Sequence, residues 1–243
     1  MTKKIIFVLA VFLASCTSNK ALKHPLDKSK SKTVVLENGL KVYLLSDPSF
    51  NVSAASVSVE VGSLDNPDDR QGLAHFLEHM LFLGTEKYPD VDEYSSYLKT
   101  YGGYSNAYTA SDHTNYQFQV LPDGFEGALD RFSQFFISPL FTEEYTAREV
   151  NAVNSEHQKN MLNDNWRQFR VSSLFAKEGH PERKFGTGNL ETLGDITREE
   201  LIRFYNQHYS ANRMGVALLS THTLEEMEAW CQEYFSSIKN HSL

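Results

Sequence analysis

Two histidines and a glutamate lie within five residues of one another in the stretch GLAHFLEHMLFLGT, residues 72–85. His75 and His79 are four residues apart, so a helix would place them on one face with their Cβ atoms about 5–6 Å apart. Two imidazoles at that distance can bind one metal ion, and the chain has no Cys-x-x-Cys pair of the kind that forms structural zinc sites. Glu78 lies near the same face, where a carboxylate can act as general base toward water at a zinc ion. The spacing therefore predicts a catalytic site for one Zn²⁺ per chain, which still needs a third protein ligand.

The residues around this trio favour a helix with a buried face. Apolar side chains recur at helical spacing until Gly84 ends the pattern, namely Leu73, Phe76, Leu77, Met80 and Leu81. An unpaired imidazole or carboxylate is costly to bury unless it has a partner such as a metal ion. The alternative is a capped or salt-bridged trio on a partly exposed helix, and the five-residue motif alone does not exclude it.

Strand patterns surround this helix in the sequence. Asn38 and Gly39 predict the turn of a β-hairpin. Residues 55–62 alternate valine with serine and glutamate, and residues 104–121 return to a period of two that predicts a hairpin or strand pair. The stretch RMGVALLS, residues 213–220, supplies another strand. The chain therefore contains several strands that could form one sheet.

Helical patterns fill much of the remaining chain. They cover residues 92–101, residues 124–136 and a long run from about residue 142 to residue 175. Two capping boxes mark further helices, Thr197 with Glu200 and Thr223 with Glu226. Strands and helices mix without strict βαβ alternation, so the predicted fold class is α+β, with an antiparallel or mixed sheet flanked by helices.

The N-terminus carries the features of a secretory signal. Lys3 and Lys4 precede an apolar run, residues 5–14, that is too short to span a bilayer. The run ends in Leu-Ala-Ser-Cys, which resembles a bacterial lipoprotein signal whose Cys16 becomes lipidated, and no aspartate follows Cys16, which favours the outer membrane. We therefore expect a signal peptide over residues 1–16, a Lys/Ser-rich tether over 17–32 and a catalytic domain over 33–243, lipid-anchored in the bacterial cell envelope and facing the periplasm. The alternative is an amphipathic start with a chance cysteine.

The composition excludes several other classes of protein. With 41% hydrophobic and 22% charged residues, the chain has the composition of a folded globular protein. A net charge of −8 and the lack of a Lys/Arg-rich block argue against a nucleic-acid partner. Once Cys16 is lipidated, only Cys231 remains as a free thiol, so we expect no intramolecular disulfide.

The order His-x-x-Glu-His, and the sequence beyond it, resembles a known family. The segments GLAHFLEHMLFLGTEKYP, SNAYTASDHTNY, EGALDRFSQFF, REVNAVNSEHQKN and KFGTGN are similar, in the right order, to segments of the insulinase/pitrilysin family of zinc peptidases. The similarity runs from about Val34 to the C-terminus. It is strongest to the N-terminal catalytic domain of the insulin-degrading-enzyme branch, and it implies that family's metallopeptidase roll.

The resemblance implies a third zinc ligand that spacing alone leaves open. Glu149 and Glu156 are seven residues apart, two turns along one face of a predicted helix. The family pattern makes Glu156 the ligand and Glu149 an acidic residue that orients the site, although Glu149 could also be a solvated acid on a helix face. His157 is an alternative ligand on chemistry alone.

The resemblance also implies how a peptide substrate is held. Residues 105–108 resemble a strand that pairs with extended substrate, in which Asn106 contacts the scissile region and Ala107 offers backbone groups. Phe82 and Trp166 would line the substrate pocket, although each could equally be a plain core aromatic.

Full members of this family are longer than 243 residues. They contain further homologous domains or pair with a partner subunit, which closes over the substrate and supplies an Arg/Tyr pair. The resemblance therefore implies a zinc-dependent metalloendopeptidase that needs a C-terminal homologous half or partner subunit for full activity. The alternatives are a lipid-anchored peptide-binding module and a structural partner subunit, and the retained motif residues favour the enzyme.

Overall fold

The structure is a computed structural model that describes residues 23–243. The predicted signal peptide, its Cys16 and the first part of the predicted tether lie outside the described residues, so these stay predictions. The described part contains one six-stranded sheet, in the order β1-β2-β6-β3-β5-β4. Its strands are β1 (Lys30–Val35), β2 (Lys41–Ser46), β3 (Ser53–Val59), β4 (Tyr104–Thr109), β5 (Thr114–Val120) and β6 (Met214–Ser220).

The sheet is mixed because its last strand enters its middle. β6 lies between β2 and β3, parallel to β2 and antiparallel to β3, while the other neighbouring pairs are antiparallel. The β1–β2 hairpin turns at Gly39, whose φ of 85° suits a glycine. The predicted hairpin and the predicted α+β class with a mixed sheet are confirmed.

Eight α-helices accompany the sheet in the described residues. They are α1 (Leu73–Met80), α2 (Glu93–Thr100), α3 (Phe125–Ser133), α4 (Glu143–Asn160), α5 (Asp164–Ser173), α6 (Leu190–Leu193), α7 (Arg198–His208) and α8 (Leu224–Phe235). Both predicted capping boxes form, since Thr197 caps α7 with Glu200 and Thr223 caps α8 with Glu226. None of the described helices combines the length and apolarity needed to cross a membrane.

One face of the sheet is buried beneath helices and holds the core. Strand residues with alternating burial, such as Val42, Val57 and Val216, point to this face. Phe76, Leu77 and Met80 of α1 are buried in the same core cluster. The histidine-bearing helix is therefore held against the sheet by its apolar side.

The predicted boundaries differ from the structure at two places. The helical pattern over residues 142–175 forms two helices, because the chain breaks after α4 and Asn163 caps the start of α5 by accepting from the amides of Asn165 and Trp166. The predicted tether over residues 17–32 overlaps β1, which begins at Lys30 and pairs there with Ser46. Strand pairing supplies backbone hydrogen bonds that a polar, Lys-rich composition does not reveal.

Candidate metal centre

Helix α1 presents His75, Glu78 and His79 on the side away from its most apolar residues. The helix starts at Leu73, directly after Gly72, and the buried side chain of Asn66 accepts a hydrogen bond from the amide of Ala74 at 2.8 Å. That contact satisfies one of the free amides of the first turn. The predicted helix is confirmed, although it ends at Met80, four residues before Gly84.

Helix α4 packs against α1 and brings the third group. The Nε2 atoms of His75 and His79 are 3.2 Å apart. Glu156 Oε2 lies 3.6 Å from the first and 3.7 Å from the second. Three atoms from residues 75, 79 and 156 therefore form a nearly equilateral triangle, and the same three residues form a possible metal-binding group.

The size and chemistry of this triangle fit a zinc ion. A tetrahedral zinc ion with bonds of about 2.0–2.1 Å would hold its ligand atoms about 3.3–3.4 Å apart. His75 Nδ1 faces a backbone carbonyl and His79 Nδ1 faces a carboxylate, both of which only accept hydrogen bonds. In neutral imidazoles the protons therefore lie on Nδ1, so two Nε2 lone pairs and one carboxylate oxygen face each other. Three such acceptors need a cation between them, and three protein ligands leave a fourth position open.

Two contacts behind the histidines set their orientation. Glu149 Oε1 accepts from His79 Nδ1 at 2.7 Å, and the carbonyl of Thr187 accepts from His75 Nδ1 at 2.8 Å. Such contacts fix the tautomer and the ring orientation of a metal-binding histidine. Glu149 was found through the resemblance. Sequence reasoning missed Thr187, because any residue has a carbonyl and no residue type marks this role.

Glu78 is a buried carboxylate beside the triangle. Its side chain is only 6% exposed, and Thr109 Oγ1 at the end of β4 donates to Glu78 Oε2 at 2.6 Å. Burial raises the pKa of Glu78 above its usual value. A carboxyl group whose pKa moves toward neutrality is a better proton acceptor and donor at the pH where most enzymes work. Thr109 is a second contact that the sequence did not reveal.

The charges of the site are coupled. Burial disfavours protonation of His79, but its contacts with Glu149 and Glu156 outweigh this and raise the pKa of His79 to about 9. The neighbouring His79 ring, whose Nε2 lies 3.7 Å from Glu156 Oε2, lowers the pKa of Glu156. Without a metal ion, a proton on His79 therefore supplies the positive charge between the neighbouring carboxylates.

Three of the predicted substrate-binding residues lie on the edge strand or in the aromatic core. Asn106 and Ala107 lie on β4, an edge strand that pairs only with β5 among the described strands. Phe82 packs against the rings of Tyr94, Tyr116 and Phe135, as a core aromatic does.

Trp166 and His157 occupy the surface beyond the triangle. Trp166 on α5 is 46% exposed and contacts Phe169. His157, the alternative ligand, meets the ring of Phe185 edge to face and does not join the triangle. The structure thus brings together residues 75, 78, 79, 149 and 156, and leaves the aromatic candidates outside this group.

Fold and site together define a class of protein, an α+β domain with a His-His-Glu group that could hold a metal ion. Comparison of the sequence with known families identifies it further. The family described as Insulinase (Peptidase family M16) matches residues 41–178, and the one described as Peptidase M16 inactive domain matches residues 195–242. The chain belongs to the insulinase family of peptidases, whose members are hydrolases. The second match includes β6, so both matched ranges contribute to one sheet.

Individual relatives agree with this assignment. The chain is 53% identical over 212 residues to the insulin-degrading enzyme of Drosophila melanogaster, covering 84% of this chain and 21% of the relative. It is 46% identical over 229 residues to the insulin-degrading enzyme of Homo sapiens, covering 91% of this chain and 22% of the relative. These identities support the insulin-degrading-enzyme branch.

A solved structure supports the fold. The crystal structure of pitrilysin superposes with a TM-score of 0.88 and 37% sequence identity, covering 93% of this chain and 24% of the pitrilysin chain. The chain spans about a quarter of the length of the curated relatives that it matches.

Proposed function

We propose that this protein is a zinc-dependent metalloendopeptidase in which Glu78 acts as general base toward the attacking water. The observation that carries the proposal is the triangle of His75 Nε2, His79 Nε2 and Glu156 Oε2 beside the buried carboxylate of Glu78. Membership of a peptidase family makes peptide bonds the expected substrate.

Each residue of the site has a distinct part in this proposal. His75, His79 and Glu156 would hold the zinc ion, which supplies Lewis acidity and lowers the pKa of water. Glu78 takes the proton from the attacking water and can return it to the leaving amine. Thr109 donates to one oxygen of Glu78, which holds the carboxylate in place and leaves the other oxygen free to accept the proton.

Substrate binding is proposed along β4. As an edge strand of the described sheet, it can pair with an extended peptide through its backbone. Ala107 would supply backbone groups to such a peptide, and Asn106 would contact the scissile region. The exposed ring of Trp166, and part of Phe82, are proposed as apolar contacts for substrate side chains.

The proposed enzyme works with a second, homologous C-terminal half, within a longer chain or as a partner subunit. The support is length, since the matched part is only 21–22% of the length of these relatives. Such a half would close over the bound substrate. We also propose that Cys16 anchors the mature protein to lipid in the bacterial cell envelope, because residues 1–16 resemble a lipoprotein signal.

The variant Glu78→Gln tests the proposed base. The amide has the size of the carboxylate but cannot take a proton from water, so we expect zinc binding to persist while cleavage of a quenched fluorescent peptide falls by about 10²-fold or more. Cleavage should be measured with and without chelator, by this chain alone and with added C-terminal half of a relative.

Glu86→Gln is the matched control, since Glu86 is exposed and lies just beyond α1. It should keep both zinc and activity. Wild-type rates in Glu78→Gln would exclude the general-base role. Zinc binding without any cleavage by the wild type, with or without the added half, would favour a peptide-binding module instead.

A further inference from the structure

Residues 184–188 lie across the N-terminal end of α1 and contact His75 on the side of its ring that faces away from His79 and Glu156. We name this segment the 184–188 strap. Its Thr187 carbonyl accepts the hydrogen bond from His75 Nδ1 at 2.8 Å. Thr187 is 112 residues from His75 in the sequence, so this contact depends on the packing of the strap against α1.

Two residues fasten the first half of the strap through three hydrogen bonds. The amide of Phe185 donates to Gln71 Oε1 at 2.6 Å, just before α1 begins. Lys184 Nζ donates to the backbone carbonyls of Leu64 and Asn66, at 3.2 Å and 2.5 Å. Asn66 also receives the Ala74 amide through its side chain, so the residues that fasten the strap also cap the histidine-bearing helix.

A glycine pair fastens the second half. Gly72 and Gly188 have φ angles of 93° and 83°, in the left-handed region that favours glycine. A Cβ added to Gly72 would lie 2.2 Å from Gly188 Cα and 2.9 Å from the carbonyl carbon of Thr187. The two backbones therefore meet without side chains between them, and this approach brings the Thr187 carbonyl within reach of His75.

We propose that the 184–188 strap is a positioning element for zinc, acting through His75. The Thr187 carbonyl holds the proton of His75 on Nδ1 and turns Nε2 toward His79 and Glu156. A ligand ring fixed in this way loses less freedom when the metal binds, and partners of this kind contribute about 10- to 100-fold to metal affinity. The inference rests on the proposed zinc site and adds a role for a segment that does not touch the metal.

The variant Gly72→Ala tests the strap directly, because the new Cβ must push the Thr187 carbonyl away from His75. We expect zinc affinity, measured by competition with a chromogenic chelator, to fall about 10-fold or more. Gly179→Ala is the matched control. Gly179 also has a left-handed φ, 76°, but a Cβ there would meet nothing within 4 Å. It introduces a similar backbone strain outside the strap and should leave zinc affinity unchanged.

A spectroscopic readout separates positioning from a general loss of structure. In ¹H–¹⁵N spectra of the zinc-loaded protein, the hydrogen-bonded Nδ1–H of His75 should be lost or shifted in Gly72→Ala. The Nδ1–H of His79, which donates to Glu149, should remain. Equal change at both histidines would mean that the whole site has moved, which would overturn the proposed role of the strap.

Lys184→Met is the second variant, and it acts from the strap's side without backbone strain. It removes the ammonium group that donates to the carbonyls of Leu64 and Asn66, and should weaken zinc binding in the same direction. It therefore decides the question if circular dichroism shows that Gly72→Ala does not fold. Unchanged zinc affinity in the folded variants would overturn this inference alone. A wild-type protein that binds no zinc would overturn the proposed function, and the strap's role with it.

Discussion

Replacing Glu149 by glutamine isolates the charge behind His79. Glu149 Oε1 accepts from His79 Nδ1 at 2.7 Å, and the Glu149 side chain is only 14% exposed, so solvent screens the contact weakly. Glutamine keeps the size and an accepting oxygen but removes the charge. A hydrogen bond to a charged group contributes about 1.5–3 kcal/mol, against about 0.5–1.5 kcal/mol for a neutral one. The difference of roughly 1.4 kcal/mol corresponds to an approximately tenfold loss of zinc affinity.

The pH at which affinity is measured changes the size of this effect. In the free protein the contacts with Glu149 and Glu156 raise the pKa of His79 to about 9, so near neutrality a proton competes with zinc for this ring. The Glu149→Gln substitution lowers the pKa of His79, so a proton competes less with zinc near neutrality. This gain offsets part of the loss of zinc affinity. Above pH 9 the ring is neutral in both proteins, and the full loss should be visible.

The assay is chelator competition on the wild type and on Glu149→Gln, near neutrality and above pH 9. Glu144→Gln is the control, because Glu144 is exposed in the first turn of the same helix. This substitution removes the same charge from α4. It should bind zinc as the wild type does. Equal zinc affinity of Glu149→Gln and wild type above pH 9, or an equal loss in Glu144→Gln, would refute the argument.

Three further predictions follow from the site and the N-terminus. Zinc affinity should rise with pH until about 9 and then level off, because the raised pKa of His79 means that zinc must displace a proton below that pH. Calorimetry in buffers of different ionisation enthalpy should detect the proton released near neutrality. A zinc affinity that does not change with pH would contradict this. Thr109→Val should lower kcat without loss of zinc, and Thr109→Ser should restore it; equal kcat in all three proteins would show that the hydrogen bond to Glu78 is dispensable. Cys16→Ser should move the protein from the membrane fraction to the soluble fraction, and an unchanged distribution would count against the lipid anchor.

Local patterns in the sequence predicted the elements of this fold well. The caps at Thr197 and Thr223, the turn at Gly39 and the histidine-bearing helix all depend on residues within a few positions of one another. The break before Asn163 was missed, because the helical pattern continues across it, and the Asn163 side chain caps a new helix there. The sequence patterns also did not predict that β6 lies between β2 and β3, since strand order depends on contacts between distant segments.

The sequence by itself determined that His75, Glu78 and His79 share a helix face, because helical geometry relates residues four apart. The resemblance added Glu149 and Glu156, and the structure places both side chains against those histidines. Only the tertiary structure showed the Thr187 carbonyl behind His75 and the Thr109 hydroxyl on Glu78. The physical reason is that such contacts require only a carbonyl or a hydroxyl at the right place. Many residues offer those groups, and the packing of segments far apart in the chain decides which of them arrives.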